Sequence, residues 1–129
     1  MSLLTSNFVN AHDFSFLENT NYTFSNLFQG NDNIIDAGNL ILPSGGYGFA
    51  TYYLAFNNAH NLVRPPVFCC QNIGEKGMFQ AFAQAYSLTG IVLSATTLDT
   101  QCYHQMIYEC SPFVEITVGF TDWNNGDST

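Results

Sequence analysis

The chain has 129 residues, 47% of them hydrophobic and 16% aromatic, enough to close one hydrophobic core and too few for two. Only 9% are charged, and Arg64 and Lys76 against ten acids leave a formal charge of −8. A phosphate-binding groove needs several clustered Lys or Arg, so nucleic acid is excluded as a partner, and an anionic membrane surface is disfavoured for the same reason.

The opening stretch, Met1 to Phe14, has no basic region and no apolar run of signal-peptide length. No stretch approaches the roughly 20 apolar residues that span a bilayer. The expectation is a chain that folds in a cytoplasm, with residues 1–20 as an N-terminal arm and 121–129 as a tail on one domain, 1–129.

Turn-forming clusters then come at short intervals: Gly30-Asn31-Asp32-Asn33, Pro43-Ser44-Gly45-Gly46, Asn57-Asn58, Pro65-Pro66, Gly74 to Gly77, Thr89-Gly90, Leu98-Asp99-Thr100 and Ser111-Pro112. The runs between them are rich in β-branched and aromatic residues: Tyr22 to Phe28, Asn39 to Leu42, Tyr47 to Phe56, Ile91 to Thr97, Cys102 to Glu109 and Phe113 to Phe120. Many short strands separated by turn signals predict an all-β sandwich. No repeat is evident. In the last run Val114, Ile116, Val118 and Phe120 form a wholly apolar face that should cover a core. The segment Phe79 to Tyr86 fits a helical stripe and a strand alternation equally, and its neighbours favour strand.

Chemistry-bearing residues are sparse. His12, His60 and His104 are dispersed, and no Gly-x-Ser-x-Gly elbow is present. Cys102-x-His104 has no Cys-x-x-Cys partner, so a buried thiol beside a half-buried His is the expected reading, not zinc. Cys69, Cys70, Cys102 and Cys110 are expected as reduced, buried thiols. Glu109 and Glu115 flank Ser111-Pro112, where edge charges are commoner than a catalytic pair. Asn31-Asp32-Asn33 reads as a turn, not a calcium loop. Neither catalytic residues, a metal nor a cofactor is expected.

The segment Tyr22-Thr23-Phe24-Ser25-Asn26-Leu27-Phe28, then Gly30-Asn31-Asp32, Ile35-Asp36 and Gly38-Asn39-Leu40-Ile41-Leu42-Pro43, leads into Gly45-Gly46-Tyr47-Gly48-Phe49. With Gly90-Ile91-Val92-Leu93, Leu98-Asp99-Thr100-Gln101-Cys102-Tyr103 and the ending Ser111-Pro112-Phe113 to Asp122, this order resembles the complement-head and tumour-necrosis-factor-like jelly roll. The resemblance implies a sandwich of about eight to ten short antiparallel strands, assembled as a homotrimer through aromatic residues near a threefold axis. It also implies binding or fibre capping instead of catalysis, as in virion decoration and fibre-tip proteins.

The expected function is therefore non-enzymatic: a structural or assembly subunit of a virion, made in the host cytoplasm, in contact with a capsid or fibre protein. Its interface candidates are Tyr47, Phe49, Tyr52, Tyr53 and Phe56, with Tyr103 and Tyr108. Aromatic residues on both faces of the Tyr47 to Phe56 strand call for a second partner, either another subunit or a covering loop of the same chain. The alternative is an extracellular glycan-binding adhesion module, with Trp123 between Asp122 and Asn124 as an apolar platform beside hydrogen-bonding groups.

Overall fold

The computed structural model describes residues 14–15, 21–43 and 48–121. Among them the chain forms short strands, isolated bridges and turns, with no helix, which makes the fold all-β. The strands are β1 (Asn72–Ile73), β2 (Gly90–Leu93), β3 (Thr97–Leu98) and β4 (Glu115–Val118). β1 pairs with β3 and β2 with β4, and both ladders are parallel. The bridges Asp36–Arg64, Ile41–Val67 and Phe68–Leu93 are parallel too.

Parallel pairing between segments so close in sequence has one geometric source. The chain completes a circuit and returns beside itself heading the same way, so each coil lies on the one before. A jelly roll instead pairs its strands antiparallel. The antiparallel pairings expected from the sequence are therefore replaced, among the described residues, by parallel ones.

The coils are defined most sharply by their turn segments, 21–31, 49–59, 75–85 and 100–110. Positive φ recurs there at every fourth residue. Tyr22, Ala50, Lys76 and Gln101 occupy the first such position, and Asn26, Leu54, Gln80 and Gln105 the second. Gly30, Asn58, Gln84 and Glu109 occupy the third. No β-branched residue stands at any of the twelve, in keeping with the steric cost of a branched Cβ in the left-handed region.

Backbone hydrogen bonds alternate in step. Ser25, Leu27, Gln29 and Asn31 donate three residues back within their own coil. Tyr22, Phe24, Asn26, Phe28 and Gly30 donate across to the carbonyls of Phe49, Thr51, Tyr53, Ala55 and Asn57. The second coil donates likewise to the third, and the third to the fourth. Each turn segment is thus polar: one edge offers N–H groups and the other offers carbonyls. The runs expected as strands at Tyr22–Phe28, Phe79–Tyr86 and Cys102–Glu109 are these turn segments, as is the described part of Tyr47–Phe56.

Stacking puts like beside like. Phe24 lies flat on Tyr52 at 5.1 Å, and Phe28, Phe56 and Phe82 form a continuous column with spacings of 5.5 and 5.1 Å. These rings are buried, each contributing about 1.5–3 kcal/mol by burial and about 0.5–1.5 kcal/mol more by ring contact. Beside them run the aliphatic column Ile34, Leu62 and Leu88 and the mixed column Leu42, Phe68 and Leu93.

Candidate functional site

The fourth coil forms an end of the described stack, and its backbone differs from that of the others in one respect. The N–H groups that correspond to the cross-coil donors belong to Gln101, Tyr103, Gln105, Ile107 and Glu109. Among the described residues these five donate to no oxygen, while every equivalent group in the first three coils does. The result is a row of unmatched donors along one edge.

Beside that row lies an apolar groove of about 330 Å³, lined by Tyr103, Met106, Ile107, Ile116, Val118 and Phe120 among others. Tyr103 stacks on Phe120 at 6.0 Å and forms its inner wall. Ile116 is 42% and Tyr108 50% exposed. Phe113 is 88% exposed. The strand alternation placed Ile116 with Val114, Val118 and Phe120 on a core face. That face is apolar as expected: Phe120 is buried and Val114 and Val118 pack half-buried against the core, while Ile116 is exposed at the groove.

Burial shapes the titration of the neighbouring groups. The Cys102 thiol is pushed up to about 11, chiefly because burial disfavours the thiolate. Burial likewise raises the Tyr103 phenol and the Cys110 thiol, and the Cys110 thiol donates to the Phe82 carbonyl at 3.0 Å. The Tyr108 phenol is raised chiefly by its hydrogen bond to the Glu109 carboxylate. Glu109 also accepts from Gln84 Nε2 at 2.6 Å.

The residues expected at an interface divide. Tyr52 and Phe56 are fully buried within the subunit and Tyr103 nearly so, because they are rungs of the ring columns. They are core residues of one chain. Phe49 and Tyr53 are half-buried, Tyr108 is exposed, and Tyr47 lies outside the described residues. So do Trp123, Asp122 and Asn124. His104 stacks on Phe79 at 5.2 Å. The Asn31 side chain accepts from the N–H groups of Asn33 and Ile34, which makes Asn31-Asp32-Asn33 the turn expected. All four cysteines are free thiols, but Cys69 is exposed, against the expectation of burial. Sequence reasoning missed the donor row, since backbone groups carry no side-chain signature.

Comparison with family models, with curated proteins and with solved structures gives no match.

Proposed function

We propose that this protein is a non-enzymatic structural or assembly subunit that works through protein–protein contacts at the open face of its fourth coil. We read the stacked coils as a repeat solenoid instead of a jelly roll, an architecture in which an end coil needs a polar cap or a partner. The observation that carries the reading is the row of five unmatched N–H donors beside an apolar groove. An edge of this kind is a template for another chain.

The polarity of the edge also selects a symmetry. Two copies meeting through this face about a twofold axis would set donors against donors. A contact between this face and a different surface of the next copy avoids the clash; such contacts form a ring where the rotation closes and a filament where it does not, and a homotrimer is the closed assembly we favour. The chain's own surface suits such a contact, being rich in Asn, Gln and acids and poor in competing cations. A virion decoration or fibre-tip role is the setting we propose, since a lightly charged subunit loses little to desolvation when surfaces meet.

Glycan binding through Trp123, Asp122 and Asn124 is the second reading, and those residues lie outside the described ones.

Light scattering after gel filtration of the full chain tests the proposal. Three copies are expected, falling to one in Ile116→Lys, whose side chain is already partly exposed in the single subunit. A monomer at high concentration with no particle-bound form sinks the reading.

A further inference from the structure

A second recess lies on the outer face of the parallel ladder, apart from the end groove, and its observations are independent of the assembly reading. It has a volume of about 510 Å³ and crosses the coils at Gly38, then Arg64 to Val67, then Gly90 to Val92, then Glu115 and Thr117. Two features of the sequence create it. Gly38 and Gly90 put no side chain on its floor, and Pro65 and Pro66 lack N–H groups, so the ladder is interrupted between the Asp36–Arg64 and Ile41–Val67 bridges.

The walls carry distinct chemistry. Val67 and Val92 line the recess and are 59% and 56% exposed, and Ile41, bridged to Val67, extends the apolar stripe beyond it at 52% exposed. Arg64 is one of two fixed cations in the chain, and it is paired with Asp36. Asp36 also accepts from the Gly38 N–H at 2.7 Å, which fixes the carboxylate that holds the guanidinium. A Cβ on Gly38 would meet Arg64 Cδ at 3.0 Å, so the glycine leaves the arginine its place. At the far end Glu115 is exposed and has no ion-pair partner among the described residues.

We propose that this recess binds a short extended peptide segment that lies across the strands, with apolar side chains on Val67 and Val92 and a Lys or Arg at Glu115. The charges decide the occupant. Asp36 and Arg64 neutralise each other, which leaves Glu115 as the uncompensated charge, and the whole chain at −8 attracts a cationic segment. Length agrees: three strand spacings of about 4.8 Å cover about 14 Å, the reach of roughly four extended residues.

The probe is the capped tetrapeptide Gln-Val-Val-Lys, titrated into the isotopically labelled full chain and followed by amide chemical shifts. Its uncharged counterpart, Gln-Val-Val-Gln, is the comparison. The expected result is movement confined to residues 64–67, 90–92 and 115–117, with affinity in the millimolar range or better, and at least threefold weaker for the uncharged peptide. Glu115→Gln should erase that difference, and Val92→Lys, at an exposed position, should abolish binding while leaving the remaining spectrum in place. No shifts at these residues, or equal binding of the two peptides, overturns the proposal. Loss of oligomers through Ile116→Lys leaves this site intact, so the two readings fail separately.

Discussion

Gln80 donates from Nε2 to Oε1 of Gln105 at 2.6 Å, one coil further on, and both residues sit at positive φ. The side-chain bond therefore links two backbone positions that most residues avoid. The same arrangement recurs between Gln84 and Glu109. Long unbranched amides suit such sites, since they tolerate the left-handed backbone and still reach their neighbour.

Branching at Cβ is thus expected to be the damaging change in these columns. Gln105→Val should lower the free energy of unfolding by about 1–3 kcal/mol. Gln105→Gly should stay within about 1 kcal/mol of the parent, relief of strain offsetting the lost amide bond. Urea titration of both variants decides the matter, and equal losses would remove φ as the controlling factor.

Gly77 is required by close approach instead of by φ. A Cβ there would lie 2.6 Å from Cγ1 of Ile73, a buried side chain. Gly77→Ala is expected to cost about 1–3 kcal/mol. In an Ile73→Ala background the cost should shrink, because the atom in the way is gone. Additive losses in this double-mutant cycle would show that the contact is not the cause.

Cys102 makes stability fall in alkali. Its thiol is held near 11 in the folded chain against 9.0 as an ordinary value. Below pH 9 both states keep the proton, and the group leaves stability unchanged. Between 9 and 11 the unfolded thiol ionises while the folded one does not, so roughly 2–3 kcal/mol drains away across that window. Urea midpoints taken from pH 7 to 11 under reducing conditions should show the decline, and Cys102→Ala should flatten it while lowering stability throughout.

Thiol reactivity should follow exposure. Cys69 is exposed and should react with Ellman's reagent at once. Cys110, half-buried and bonded to the Phe82 carbonyl, should be slower, and buried Cys70 and Cys102 should react at the rate of global unfolding. Four equally fast thiols would contradict the packing.

Much of the punctuation was legible in the sequence, and the all-β class with it. β4 lies within a run expected as a strand, β2 overlaps another from Ile91 to Leu93, and Asn31 makes its predicted turn. The repeat was not legible, because its columns keep volume and not identity: Phe24, Tyr52, Met78 and Tyr103 share a position, as do Leu27, Ala55, Ala81 and Met106. The ambiguity at Phe79–Tyr86 has a physical origin. Paired turns repeat every four residues and bury Met78, Ala81, Phe82 and Ala85, a spacing close to a helical stripe, while alternate N–H groups bond sideways as in a strand. The open edge at the fourth coil was invisible for a different reason, since every residue type presents the same N–H.

Successive positive-φ columns are separated by 28, 26 and 25 residues, yet the four-residue spacing inside each turn segment never changes. The slack between coils is taken up by the connecting stretches alone. Chain length is therefore negotiable in one part of each circuit and fixed in the other. A residue inserted between Gly30 and Asp36 adds a little loop. One inserted between Ala50 and Asn58 shifts every donor in that segment onto the wrong side, and with them the register of all the coils that follow.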